Sequence, residues 1–436
     1  MGTAKDGGTL ALVVGGGPAP GINGVISAVT IEAINHGMKV LGVQDGYKWL
    51  VEGKTDHIRD LSIADVSRLQ LTGGSILGTS RTNPAKKDED MNRVLDAFRA
   101  LGVTALVSIG GDDTAFSASQ VYKRAGGAIH VAHVPKTIDN DLPLPPSVPT
   151  FGFETARHHG VFIVRSLAED AKTTGRWYII VSMGRAAGHL ALGIGKAAAA
   201  TLTLIPEEFV GRSLTLDELV DTIAGTVLKR KASGKSYGIV VLAEGLIESI
   251  GEKGLAALGD KLERYGSLER DPHGHLRLGE IEFGRMVKDR LAATLDEMKI
   301  KTTLIDKDLG YELRCAEPIP FDAEYTRDLG YGAVKFLLSP AASEFGAVIS
   351  FVDGKMVPQP FEKMINPATG RMLPRKVDVK SETFECARRY MIRLEPHDFE
   401  GTALERYAAA AGMTPAKFKE RFGYLAQQQH AVGGRR

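Results

Sequence analysis

A lysine and two acids set close together after a β-branched run can move a proton and neutralise phosphate charge in one place. That pattern stands at Pro135-Lys136-Thr137-Ile138-Asp139-Asn140-Asp141, directly after the apolar run Ile129–Val134. Lys136 offers a cation, Thr137 a hydroxyl, Asp139 a general base and Asp141 a carboxylate able to face a metal. A second turn, Gly110-Gly111-Asp112-Asp113-Thr114, follows Thr104–Ile109. Its carboxylates suit a hydrated Mg2+ bridging phosphate oxygens, and they equally suit a turn with a helix cap. A third turn, Gly15-Gly16-Gly17-Pro18-Ala19-Pro20-Gly21-Ile22-Asn23, follows Thr9–Val14. It sets bare N–H groups and a helix start where an anion can sit, although a tight turn without ligand uses the same residues. It is no Walker loop, lacking Gly-Lys-Ser/Thr, and no dinucleotide fingerprint, because Pro20 stands where glycine is needed. A dehydrogenase is therefore disfavoured.

Other residues join these turns. Arg81, closing Gly73-Gly74-Ser75-Ile76-Leu77-Gly78-Thr79-Ser80-Arg81, can meet a phosphate with a forked donor. Met183-Gly184-Arg185 closes the run Trp177–Met183, and Glu244 follows Tyr237–Ala243. His158-His159 lacks zinc-like spacing, and His133 lies inside an apolar run as a core histidine would. There is no serine nucleophile elbow and no activated-cysteine context.

The elements that must position these residues are short β-branched runs alternating with longer helical stretches. Besides the runs already given, Lys39–Val43 and Ala200–Ile205 predict buried strands. Phe153, Ala156, Ile163, Val164, Leu167 and Ala171 share one face of a long helix. The alternation predicts a doubly wound α/β fold, whose ligands bind beyond the carboxyl ends of the strands. The Pro-rich stretch Leu142–Pro149 is the expected linker between two lobes. The charged run Lys86–Asp90 predicts a solvated helix start, and the last twenty or so residues, to QQQHAVGGRR, end in a polar tail expected to fray.

At 436 residues the chain suggests two or three domains, taking about 150 residues for each. Lys+Arg 54 against Asp+Glu 53 leaves a net charge of +1, so no general field draws nucleic acid or an acidic membrane. A phosphate-rich substrate must then be held by a local constellation. Two cysteines, Cys315 and Cys386, suit a reducing cytoplasm, and no apolar run is long enough to span a membrane. Glycine is the outlier, 50 residues or about 11% against a usual ~7%, as expected of many turns at strand ends.

GGGPAPGIN, GGSILGTSR, GGDDT, PKTIDND, MGR and YELR, in this order, resemble the phosphofructokinases, and closely the pyrophosphate-dependent branch. The resemblance runs from about Thr9 to about Lys335. It implies two doubly wound Rossmann-like lobes with the active site in the cleft between them. The donor lobe would comprise residues 1–150 plus about 313–380, the sugar-phosphate lobe about 151–312, and a helical extension of unassigned role about 381–436. The implied reaction is reversible phosphoryl transfer from pyrophosphate to the 1-hydroxyl of fructose 6-phosphate, giving fructose 1,6-bisphosphate and phosphate. It would be a glycolytic step in the cytoplasm, with Mg2+ as cofactor.

Residue by residue, the resemblance implies that Gly15, Gly16 and Gly17 touch the donor and that Asp112 holds the metal. Asp139 would take the hydroxyl proton, with Thr137 and Asp141 beside it, and Arg81 would steady the transferring group. Met183, Gly184, Arg185, Glu244, Tyr311 and Arg314 would hold the sugar phosphate. Arg176 matches a family arginine that reaches into a neighbouring subunit, so a homodimer or homotetramer is expected. Where ATP-using members carry a second such arginine this chain has Ile305, and Lys307 or Lys301 is the candidate substitute.

ATP-using relatives have glycine at the positions of Asp113 and Lys136. The Asp113 carboxylate would stand where the α-phosphate of ATP must pass. Two like charges about 4 Å apart at intermediate dielectric repel by about 4 kcal/mol. That is roughly a thousandfold discrimination. Lys136 would give a small donor the positive charge that adenosine cannot supply. ATP-dependent phosphofructokinase is the alternative. A nucleotide or lipid kinase with a GGDGT-like loop has no call for PKTIDND and MGR, and a silent sugar-phosphate sensor would not need Asp139, Asp112 and Lys136 together.

Overall fold

The computed structural model describes residues 7–266, 280–366 and 372–429. It divides into two compact units, Met1–His158 with Tyr311–Arg375 and His159–Gly310 with Lys376–Arg436.

Unit 1 holds strands β1 (Thr9–Val14), β2 (Lys39–Val43), β3 (Ile58–Asp60), β4 (Val103–Gly110) and β5 (His130–Pro135). Strands β6 (Arg176–Ser182), β7 (Leu202–Leu204), β8 (Gly238–Ala243) and β9 (Thr303–Leu309) belong to unit 2. The chain then returns to unit 1 for β10 (Ala347–Val348), β11 (Phe351–Val352), β12 (Lys355–Met356) and β13 (Gln359–Pro360). The main sheet of unit 1 runs in the order β13-β10-β5-β4-β1-β2-β3, parallel except at its two outer strands.

The near-continuous apolarity of β1 has a structural cause, because both faces are covered. Leu10, Leu12 and Val14 pack with Ile22, Val25 and Val29 of helix Ile22–Asn35 and with Leu329 and Ala333 of helix Pro320–Leu337. Ala11 and Val13, pointing the other way, pack with Val94 and Phe98 of helix Asp88–Ala100 and with Ala115 and Ala118 of helix Asp112–Ala125. Each such Val, Leu or Phe stabilises the sheet by about 1.5–3 kcal/mol. Because β2 lies on one side of β1 and β4 on the other, the connections leave in opposite directions. The crevice beyond the carboxyl ends of β1 and β4 is therefore the switch point of the sheet. The triple-glycine turn and the Gly-Gly-Asp-Asp turn open there.

Unit 2 has the parallel order β7-β8-β6-β9. Its core joins Trp177, Ile179, Val240 and Leu242 of the sheet to Phe399, Leu404, Phe418 and Phe422 near the C-terminus. The residues ahead of the expected polar tail form helix Pro415–Gln429, which buries Phe418, Phe422 and Leu425, and residues 430–436 lie outside the described residues. The Pro-rich stretch Leu142–Pro149 is not the division between units. Leu142, Leu144 and Val148 are buried in a core of unit 1, and the division falls inside helix Phe153–Thr174. On that helix Ala156, Val164 and Ala171 are fully buried, whereas Ile163 and Leu167 are half-buried.

Strand β9 escapes sequence patterning because Asp306, Lys307 and Asp308 interrupt it. Among the described residues it pairs only with β6, as an edge, and Lys288 meets Asp306 at 2.6 Å.

Candidate active site

Backbone pairing assembles the glycine turn. The Gly15 amide donates to Ile109 at 2.9 Å, and the Gly16 amide donates to the Ser80 carbonyl at 2.8 Å. The Thr79 hydroxyl donates to the Gly16 carbonyl at 2.7 Å. These bonds strap the segment ending in Arg81 to the glycine turn and leave Arg81 exposed beside it. Gly16 has a φ of 81°, which explains glycine there. Gly15 is glycine for a different reason: a β-carbon would stand 2.5 Å from Thr114 Oγ1 and 2.7 Å from Thr114 Cγ2. Thr114 is buried in the first turn of helix Asp112–Ala125. Gly15→Ala is therefore expected to cost about 1–3 kcal/mol in urea unfolding. A loss under about 0.5 kcal/mol would show that Thr114 turns aside.

Lys136 is buried at 4% exposure, directly beyond β5, and its ammonium donates to the Gly17 carbonyl. Burial pulls its pKa down to about 8, with the charges of Arg314 and Arg81 adding to the fall and those of Asp139 and Asp141 opposing it. A β-carbon on Gly17 would sit 3.5 Å from the Arg314 guanidinium, so Arg314 stands over the glycine turn. It also lies over the Tyr311 ring, 4.9 Å from its centroid. The expected bare N–H groups are not found at Gly15 and Gly16, whose amides pair with the Ile109 and Ser80 carbonyls; it is Lys136, Arg314 and Arg81 that collect positive charge around the turn, an arrangement suited to phosphate groups.

Two acids lie close by. Burial first, then the Asp112 charge, push the Asp141 carboxyl above the usual carboxylate range. Such a pair fits Mg2+, which takes one or two carboxylates and keeps most of its waters. Among the described residues no group of three or more His, Cys, Asp or Glu could enclose a metal ion. Asp112 and Asp113 occupy the first turn of their helix, after Gly111, and both are exposed. Asp139 is half-buried, and its amide donates to Thr137 Oγ1 at 3.0 Å. His133 is fully buried between Ser108 and the Gly110 carbonyl, and burial lowers its pKa to about 3, so it stays neutral.

In unit 2 the turns after β6 and β8 interlock. The Gly184 amide donates to Glu244 Oε2 at 3.2 Å, and the Glu244 amide donates to the Ser182 carbonyl at 2.9 Å. Gly310 accommodates Met183, since a β-carbon there would meet Met183 Cε at 2.7 Å. Arg185 lies exposed, 3.7 Å from Glu248. Met183, Gly184, Arg185 and Glu244 are therefore together. Arg176 is not with them, because it opens β6 where Met183 follows its end. Seven residues of strand separate the two by about 23 Å. Arg176 lies 3.7 Å from Asp170. Ile305 is opposite Tyr178 on β9, with Lys307 opposite Ile180 and Lys301 exposed ahead of the strand.

Several residues that hold these segments in place carry no sequence signal. Buried Asp322 accepts the Gly152 and Thr155 amides, each at 2.8 Å, and so holds the start of helix Phe153–Thr174. Buried Glu207 accepts the amides of Gly188 at 2.9 Å and Val377 at 3.0 Å, which secures the turn beyond Arg185. Arg375 grips the Asp139–Asp141 loop. Their partners lie too far along the chain for spacing to reveal them.

Fold and turns together describe an α/β protein able to receive phosphate groups at the switch point of a parallel sheet. A family profile described as Phosphofructokinase matches residues 9–337. The chain belongs to the phosphofructokinase family. It is 51% identical over 419 residues to pyrophosphate–fructose 6-phosphate 1-phosphotransferase of Thermotoga maritima, covering 96% of this chain and 99% of the relative. It is 49% identical over 435 residues to the protein of the same name from Naegleria fowleri, covering 98% and 97%. Among solved structures it matches a pyrophosphate-dependent phosphofructokinase from Nitrosospira multiformis with a TM-score of 0.63 at 17% identity, covering 94% and 92% of the two chains. Phosphofructokinase from Saccharomyces cerevisiae also gives 0.63, at 20% identity, with 95% of this chain covering 49% of that one. These structural likenesses concern the fold alone. No helix among the described residues is long and apolar enough to cross a membrane.

Proposed function

We propose that this protein transfers a phosphoryl group reversibly between pyrophosphate and the 1-hydroxyl of fructose 6-phosphate. The observation that carries the donor choice is Lys136, a buried ammonium held against the Gly17 carbonyl beneath the glycine turn. The two relatives of about half identity over nearly their whole length, each named for this reaction, support the same reading.

In the reaction, Asp139 accepts the proton of the sugar hydroxyl as its oxygen attacks the near phosphorus of pyrophosphate. The bridging P–O bond breaks and orthophosphate leaves. Lys136, Arg81 and Arg314 neutralise the charge spread over the transferring and leaving oxygens. Asp112, with Asp141 near it, would hold Mg2+, which when bound draws charge from the phosphate oxygens. Gly15, Gly16 and Gly17 let the donor approach the backbone closely, although the Gly15 and Gly16 amides are engaged by the Ile109 and Ser80 carbonyls, and Met183, Gly184, Arg185, Glu244 and Tyr311 orient the sugar phosphate. Arg176 lies too far along β6 to join Met183 in its own chain, which favours its service to a neighbouring copy in a homo-oligomer. The location we assign is cytoplasmic.

A donor comparison at saturating fructose 6-phosphate tests the reading: turnover with pyrophosphate and Mg2+ is expected, and equal turnover with ATP would defeat it. Asp113→Gly is expected to raise ATP use relative to pyrophosphate by at least tenfold, since the repulsion it removes is about 4 kcal/mol at close range. No gain in ATP binding or turnover would end the charge-exclusion argument while leaving the donor assignment to the first experiment.

A further inference from the structure

The catalytic loop is held by a residue beyond the matched family segment. The Arg375 guanidinium donates through Nε to the Asn140 carbonyl at 3.2 Å, through Nη1 to the Val148 carbonyl at 2.7 Å, and through Nη2 to Asn140 Oδ1. Its own amide donates to the Asp141 carbonyl at 2.6 Å. Asn140 adopts a φ of 56°, a left-handed conformation that asparagine tolerates better than most residues. Its side-chain oxygen also accepts the Thr150 amide at 3.0 Å, and the Thr150 hydroxyl donates to the Thr137 carbonyl at 2.7 Å. Asp139 and Asp141 flank Asn140, so the angle at which both carboxylates leave the backbone is set where the fork takes hold.

We propose that Arg375 is a positioning residue for phosphoryl transfer, fixing the Asp139–Asp141 loop through the planar fork of its guanidinium. It acts through Asn140 and through the backbone of Asp141 and Val148. Lysine cannot replace it, because one ammonium cannot reach the Asn140 carbonyl, the Asn140 side chain and the Val148 carbonyl in their fixed directions. A displacement of about 1 Å in a catalytic group costs about a hundredfold in rate.

This inference rests on Asp139 being the base, so its test has one arm that depends on turnover and one that does not. Expected are a fall in kcat of about tenfold for Arg375→Lys and about a hundredfold for Arg375→Ala, with KM for both substrates within about twofold. Ethylguanidinium should restore part of the Arg375→Ala rate where ethylammonium does not. In both variants amide exchange across residues 137–150 should quicken while protection of β1 and β4 stays as in wild type. Wild-type kcat in either variant, a loss confined to KM, or equal rescue by the two cations would overturn the proposal. If Arg375→Ala does not fold, Arg375→Lys alone decides. Should wild-type protein fail to use pyrophosphate with fructose 6-phosphate, the functional reading fails, and unchanged loop exchange in Arg375→Lys would then separately overturn the positioning role.

Discussion

Asp139→Asn is expected to lower kcat by three to four orders of magnitude with little change in KM for fructose 6-phosphate. Asparagine keeps the size of the side chain and its place in the loop, so substrate contacts persist, but it cannot accept the hydroxyl proton. Loss of a positioned general base typically costs about 10²–10⁴ in rate. The upper part of that range applies because the attacking oxygen is a weakly acidic alcohol. The equilibrium constant of the reaction is untouched by the mutation. The specificity constant of the reverse reaction, from fructose 1,6-bisphosphate and phosphate, must therefore fall by the same factor as that of the forward reaction, with Asp139 then returning the proton. Steady-state rates in both directions check this. A variant keeping more than a tenth of the wild-type kcat would remove Asp139 from proton transfer.

Lys136→Met is expected to reduce kcat/KM for pyrophosphate by about 10²–10³, the usual consequence of deleting one oriented donor from a water-poor site. The same substitution strips the Gly17 carbonyl of its donor, so the glycine turn loosens together with the charge loss. Burial sets the Lys136 pKa at about 8 in the free protein. The ammonium is present below that pH and lost above it, so wild-type kcat/KM should decline as pH rises through about 8. The residual activity of Lys136→Met should lack this limb. Stability moves the opposite way. An unfolded lysine keeps its proton to about 10.5. Between about 8 and that value the unfolded chain binds the additional proton, and the fold gains stability as pH rises. Urea unfolding of wild type and Lys136→Met at pH 7.5 and 9.5 reads the difference. Equal pH dependence in the two proteins would place the titration elsewhere.

Much of unit 1 is legible in its chain. The run Thr9–Val14 is a strand with the bounds its apolarity implies, because a strand covered on both faces needs nearly every residue apolar. The glycine, Gly-Gly-Asp-Asp and Lys136–Asp141 turns declare themselves because close backbone approach and charge at a strand end demand particular residue types at fixed spacing. Strand β9 and the packed helix Pro415–Gln429 were hidden for opposite reasons. The first is an edge that tolerates charge, and the second spreads Phe418, Phe422 and Leu425 among polar residues at helical spacing.

By itself the sequence determined the local chemistry: which residue types follow which strand, and hence a phosphate-handling α/β protein. Only the tertiary structure decided which distant residues complete those turns. Arg314 stands over Gly17, and Arg375 holds a loop 235 residues before it. A motif records what its own backbone requires within a few residues, whereas the charges and hydrogen bonds that tune it arrive through folding. They come from segments whose separation along the chain bears no relation to their distance in space.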